Sequence, residues 1–400
     1  MRLPSTISAP RPSPDPTGLR RCRFAVILAA FLGLGLHVGV QAVLLADLAA
    51  ARGLSPADLG VLVAAQATAG IVALLVGGRL ADRFGRRPLL LLGSGGLGCF
   101  FVALTAVAPF PALAAVFAAG GVCASCYDLA VNALGGDFER RYRTRTMGLL
   151  HAGFSGGAAA GAAFAAVALA VGVGFRGVYV VAALPLLAMA TAAGLLPLPP
   201  RSAPVAEGAT SPAIDGAGPL LRVPGVALAT KLVVVCFFGD GALEGFTSLY
   251  LRTLLGAGAL LGGLGIAAFH LAGLVGRLLG NAAARRWGDR RVVTAAGGGA
   301  AGGMALALAT TDPRLAVAGL LAVGLSLSPV VPTAFSLAGR APPGRGAEAV
   351  SLVTVAGYGS FIAGPILVGG LATATSLRVA LLPLVATSLG IALLGRRVTG

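Results

Sequence analysis

From Phe24 onward, short polar breaks divide the sequence into twelve apolar runs. They lie at about 24–50, 57–79, 88–109, 111–136, 146–171, 176–197, 224–251, 258–283, 291–311, 314–338, 346–371 and 376–395. Each is about 20–28 residues, the length a tilted helix needs to cross a bilayer. Lipid offers no water to peptide groups, so only a helix can satisfy the backbone of such a run. The expected fold is therefore all-α and integral to the membrane, with twelve transmembrane helices. Composition agrees. With 57% hydrophobic and 11% charged residues, the chain is too apolar to be disordered and has too little polar surface to cover a soluble two-domain enzyme.

The net charge is +16, and Lys231 is the only lysine. Placing both termini in the cytoplasm puts most of the arginines on that side. They are Arg2, Arg11, Arg20, Arg21 and Arg23, then Arg79, Arg83, Arg86 and Arg87, then Arg140, Arg141, Arg143 and Arg145. Arg201, Arg222, Arg285, Arg286, Arg290, Arg291, Arg340, Arg345, Arg396 and Arg397 join them. The opposite loops hold only Arg52, Arg176, Arg252, Arg314 and Arg378, while Lys231 and Arg277 fall within spans. This is the positive-inside pattern, and it orients a multi-pass protein of the inner or plasma membrane. It also removes nucleic acid as a partner, because the charge lies along one membrane face.

Several local patterns carry less than they seem to. Cys123 and Cys126 form a CxxC inside an apolar run, where a thiol lacks the access and activating charge that redox or metal chemistry needs. Gly93-Ser94-Gly95-Gly96-Leu97-Gly98 matches GxGxxG but follows no strand, so it is no nucleotide loop. Residues 1–20 are rich in Pro and Ser and do not read as a cleavable signal. Neither cofactor nor metal is expected.

Residues 198–222 are rich in Pro, Gly and small polar residues, which marks a linker between six runs and six. The expected domains are a tail at 1–23, a six-helix bundle at 24–197, a cytoplasmic linker at 198–223, a second bundle at 224–395 and a tail at 396–400. The two halves also repeat. The break after the second run (77–93) aligns with the break after the eighth (280–297), Phe84-Gly85 falling on Trp287-Gly288. Duplicated halves place a substrate site between them, near the bilayer midplane.

Gly78-Arg79-Leu80-Ala81-Asp82-Arg83-Phe84-Gly85-Arg86-Arg87 resembles the loop signature of the major facilitator superfamily, at the expected place between spans two and three. The resemblance implies two pseudo-symmetric six-helix bundles and transport by alternating access. It also implies a conformational latch formed by Gly78, Asp82, Arg83, Gly85 and Arg86. In the second copy Arg285 stands where Asp82 stands in the first.

A finer resemblance is to the fucose-permease-like branch. Tyr127-Asp128-Leu129-Ala130-Val131-Asn132-Ala133, followed by Glu139, Met147, His151 and Ser155, carries it in the first half. Glu244-Gly245, Ser248, Tyr250-Leu251-Arg252, Gly276-Arg277 and Gly364-Pro365 carry it in the second. It implies a sugar-like solute moved with protons, Asp128 being the protonatable acid. Members of that branch also carry an acid in span one. Here His37–Val43 has none, and Gln41 or His37 would stand in for it.

Ionisable groups within spans are costly and mark function. Asp128 lies about nine residues, roughly 13 Å, from the inner end of its span. Asn132 is one turn on and faces the same way. Asp240 and Glu244, at i and i+4, repel one another unless a proton or a cation relieves the pair. His270 at mid-depth is titratable near neutral pH, and Arg277 on the same face either reaches the interface or pairs with an acid. Gln41, His151, Gln66, Ser328 and Tyr358 are further polar candidates. Gly153, Gly157 and Gly161 form a small-residue ridge in span five for close helix packing.

The reading is a secondary active transporter whose partners are a small-molecule substrate, protons and the lipid bilayer, with a monomer expected. An efflux pump for a drug or secondary metabolite is the alternative. A non-transporting sensor would need an appended domain, and the tails and linker are short. A membrane-embedded enzyme would need clustered nucleophile, base or metal ligands, and the three His show no such spacing.

Overall fold

The computed structural model describes residues 17–144, 146–200, 217–341 and 345–398, the side chains of 17, 75–84, 217–218, 281 and 347 excepted. All of its regular structure is helical among the described residues. The first half contains α1 (Thr17–Arg52), α2 (Pro56–Phe84), α3 (Arg86–Ala106), α4 (Phe110–Tyr142), α5 (Met147–Ala170) and α6 (Phe175–Leu195). A short α7 (Ala217–Leu221) precedes the second half. That half comprises α8 (Pro224–Leu249), α9 (Ala259–Trp287), α10 (Asp289–Ala309), α11 (Pro313–Leu327), α12 (Val330–Gly339), α13 (Gly346–Ala374), α14 (Leu377–Leu381) and α15 (Pro383–Gly395). A π-helical turn, Tyr250–Leu254, continues α8.

Twelve segments among the described residues are long and apolar enough to cross a membrane. They coincide with the twelve runs, with two differences. Several helices outrun their apolar part. α1 starts at Thr17 and α9 continues to Trp287, because arginine is a good helix former and extends a helix beyond the lipid at no cost. The tenth and twelfth segments are each split in two, at Ser328-Pro329 and Leu382-Pro383, where proline lacks the N–H that a continuous helix requires.

The repeat is visible in the backbone. Gly85 and Gly288, aligned in sequence, both have positive φ (88° and 81°), and each is followed at once by a new helix. That conformation suits glycine alone and makes the tight turn between consecutive spans. Packing repeats as well. α1 packs on α5, α2 on α4, and α3 on α4 and α6; α8 packs on α13, α9 on α11, and α10 on α11 and α15. Two pseudo-symmetric six-helix bundles result. They meet where α5 lies on α9 and α2 on α13.

The end of the molecule where α1 begins is here called the near end, and the end where it stops the far end. Glycines on α1 and on the span-five ridge of α5 let the two helices approach closely. A Cβ on Gly157 would meet the Leu32 carbonyl, and one on Gly161 would lie 2.5 Å from that of Leu36. Gly35 and Gly39 face the carbonyls of Phe154 and Ala158. Backbone-to-backbone contact on both sides fixes this pair far more tightly than apolar side chains would.

Candidate functional site

The geometry that matters lies between the halves. A cavity of about 250 Å³ is bounded by α1, α2, α4 and α5 of the first half and by α8 and α13 of the second. Most of its wall is aliphatic or aromatic, with Phe154, Tyr358 and Phe361 among the lining residues. Its polar groups are few: His37, Gln41, Gln66, Ser125, Asp128, Glu244 and the Tyr358 hydroxyl. A largely apolar wall with a few placed polar groups is the usual form of a small-molecule site.

Asp128 enters from α4. Asn132, one turn on, donates its Nδ2–H to both the Asp128 carbonyl and Asp128 Oδ1, each at 2.9 Å. The amide thus holds one carboxylate oxygen and stands behind it, outside the lining. Glu244 enters from α8 on the opposite wall. Asp240, one turn nearer the near end, lies outside the cavity lining and feels the charge of Arg277. Helical spacing alone puts both acids on one face, but only Glu244 reaches the cavity.

Gln41 of α1 and Gln66 of α2 are joined by a reciprocal amide pair, at 2.6 and 3.1 Å. His37, one turn before Gln41, is only 4% exposed. Its ring packs against Phe100 and Phe101, with centroids 6.2 and 5.5 Å away. The ring also lines the cavity beside Gln41, and among the described residues neither nitrogen has a hydrogen bond of normal geometry.

Other sequence candidates lie off the cavity. His270 is buried on α9 beside Phe269, its Nε2 without a hydrogen-bond partner among the described residues. His151 on α5 meets Phe31 edge-on at 5.3 Å. Ser328 donates to the Leu325 carbonyl at the break between α11 and α12. Arg277, for which an acid partner was one expectation, donates to the Ser155 hydroxyl of α5, across the two halves, and its charge acts on Asp240.

Of the expected latch, the side chains of Gly78, Asp82 and Arg83 lie outside the described residues. Gly85 makes the turn. Arg86 reaches back within its own half, its Nε 3.3 Å from Asp137 Oδ2, while Arg140 donates to Asp137 Oδ1 at 2.7 Å. Asp137 is completely buried, and sequence reasoning passed over it because it sits among the arginines of a loop. Glu139, two residues on, accepts the N–H groups of Thr146 and Met147, the latter at 2.8 Å, and so caps α5.

The far end is closed. Ala57 N–H of α2 donates to Thr373 Oγ1 of α13 at 3.1 Å, and Ser248 Oγ donates to the Val43 carbonyl at 3.1 Å. Asp47 of α1 forms an ion pair with Arg252 of the π-helical turn. Both residues were overlooked as site candidates: Asp47 sits near a span end, and Arg252 counted as a loop arginine. An acid does therefore stand in span one, beyond the His37–Val43 stretch.

These features agree with comparisons to known proteins. The profile of the Major Facilitator Superfamily matches residues 24–365. The chain is 28% identical over 356 residues to an uncharacterised MFS-type transporter of Yersinia pestis, covering 88% of this chain and 89% of that one. It is 26% identical over 333 residues to an uncharacterised transporter of Sinorhizobium fredii, covering 81% and 86%. The fold superposes on a variant of the nucleoside transporter NupG with a TM-score of 0.78 at 14% identity, covering 93% of this chain and 98% of that one. A bacterial homologue of the human lysosomal transporter Spinster gives 0.76 at 15% identity, covering 96% and 97%.

Proposed function

The chain belongs to the Major Facilitator Superfamily, a family of membrane transporters, and we propose that it moves a small solute by alternating access with proton coupling through Asp128. One observation carries this reading. The cavity is walled by both halves and sealed at the far end by contacts between them, so a rocking of the halves would break that seal and expose the same cavity to the other side. Among the described residues Asp128 is the acid of the first half that reaches the cavity, and Asn132 holds one of its oxygens so that the other is free to exchange a proton. Gln41, Gln66, Ser125 and Tyr358 supply hydrogen-bonding groups for a polar solute, as the sugar-permease resemblance implies.

The arginine distribution supports a cytoplasmic near end, with both termini and the 198–223 linker on that side and the two bundles, 24–197 and 224–395, as the moving bodies. Reconstituted chain in liposomes enclosing a pH-sensitive dye tests the proposal. Offering solute mixtures is expected to move protons with the native chain and not with Asp128→Asn. Equal solute flux with equal proton dependence in both would remove Asp128 from the coupling.

A further inference from the structure

We propose that the solute is an organic cation, its charged group held between Asp128 of the first half and Glu244 of the second. The inference rests on the transporter reading and names its substrate class.

Electrostatics gives the first argument. Among the described residues, two carboxyl groups and no arginine or lysine line one cavity of about 250 Å³. A carboxylate removed from water needs a proton, a hydrogen-bond donor or a cation. Among the described residues, Asp128 has a donor on one oxygen only. Glu244 has neither a hydrogen bond nor an ion pair among the described residues; Arg277 is bonded to Ser155 and acts on neighbouring Asp240. The wall thus holds acidic oxygen without the fixed positive charge that would balance it, and a cationic solute supplies that charge.

His37 gives a second argument. It lines the same cavity beside Gln41, is 4% exposed, and among the described residues neither ring nitrogen meets a hydrogen bond of normal geometry. A neutral imidazole there offers an acceptor lone pair, which suits an ammonium N–H. The aromatic residues Phe154, Tyr358 and Phe361 lining the same cavity suit a cation's alkyl or aryl body and can attract its charge. Acceptors and ring faces outweigh donors in this lining, the reverse of what an anion needs. Because the two acids belong to different halves, a cation between them draws the halves together, which couples occupancy to the rocking motion.

The test uses the full chain in lipid nanodiscs and two matched probe pairs, 2-phenylethylamine with 2-phenylethanol and choline with 3,3-dimethylbutan-1-ol. Each pair keeps its shape and differs in charge. Calorimetry is expected to show at least one amine or ammonium binding about tenfold or more tightly than its neutral match. Glu244→Gln and Asp128→Asn should each weaken that cation about tenfold, while Asp312→Asn, which caps α11 away from the cavity, leaves it unchanged. If Glu244→Gln does not fold, Asp128→Asn alone decides. The proposal is overturned if no cation in the panel outbinds its neutral match, or if the folded acid variants keep the native affinity. Binding through both acids without movement into proteoliposomes would sink the transport reading and leave this one standing. Transport of neutral solutes only would do the opposite.

Discussion

Asp47 and Arg252 lie 205 positions apart and bind one another across the two halves, Arg252 Nη2 donating to Asp47 Oδ1 at 2.9 Å and Nη1 to Oδ2. The side chains are 17% and 23% exposed, so the pair is neither fully buried nor washed by solvent. A two-pronged guanidinium–carboxylate contact of this kind has geometry as well as charge, and it must break when the far end opens. Asp47→Asn and Arg252→Gln are each expected to shift the balance toward a far-open state. The double variant should shift it less than the sum, with a coupling of about 1 kcal/mol after allowing for solvent screening. Spin-label distances between Ala51→Cys and Thr375→Cys, in a chain otherwise free of cysteine, report that balance. Additive single effects would mean that the pair is not a latch.

Glycine substitutions should separate contacts that move from contacts that do not. At the far end a Cβ on Gly60 of α2 would lie 2.6 Å from the Pro365 carbonyl of α13, and one on Gly369 would lie 2.5 Å from that of Pro56. Opening the far end relieves both clashes, so Gly369→Leu is expected to yield folded protein held far-open by the same label pair. Gly39 faces the Ala158 carbonyl inside one half, and no rocking relieves it. Gly39→Leu should therefore lose folded yield altogether, read by size-exclusion profile. Equal behaviour of the two variants would contradict the division into moving and fixed interfaces.

How far the sequence reached depends on which forces are local. Lipid imposes its demand on each run separately, so all twelve spans were readable from hydropathy. The repeat was readable because Gly85 and Gly288 solve the same local turn problem. Asp128 stood out because an acid in an apolar run is conspicuous wherever the helix points. The Asp47–Arg252 contact was not legible, because it exists only once two separately formed bundles dock. The choice between Asp240 and Glu244 was hidden as well. They differ by one helical turn, and which one lines the cavity depends on where the first half packs against α8. The breaks in spans ten and twelve were written in Pro329 and Pro383, but proline in a long apolar run is often tolerated as a kink.

Glu139 makes a prediction about stability without function. Its carboxylate accepts from the N–H groups of Thr146 and Met147 at the start of α5, where unpaired donors and the helix dipole both favour negative charge. Glu139→Ala removes the cap and is expected to cost about 1 kcal/mol, a fall in unfolding temperature of about 1 °C for a chain of this size. Transport rate should be unaffected at lower temperature. A fall in rate at unchanged stability would give Glu139 a part in the transport cycle rather than in holding α5.

Asn132 should show the opposite behaviour. It does not line the cavity, yet its Nδ2–H fixes both the backbone carbonyl and one carboxylate oxygen of Asp128. Holding a reacting group in one orientation contributes to rate far more than to stability. Asn132→Ala leaves the α4 backbone intact, since the bond it loses runs along a single helix, and unfolding temperature should change little. The freed Asp128 carboxylate would then sample several rotamers, of which only some reach the cavity. Proton-coupled transport is expected to slow about tenfold, with a smaller change in the half-saturating solute concentration. Asn132→Asp places a second acid one turn away and should slow it further, because the two carboxylates repel across i and i+4. Initial rates beside unfolding curves for both variants decide the matter. If Asn132→Ala unfolds early and keeps its rate, the amide is a structural bond of α4 and Asp128 needs no positioning.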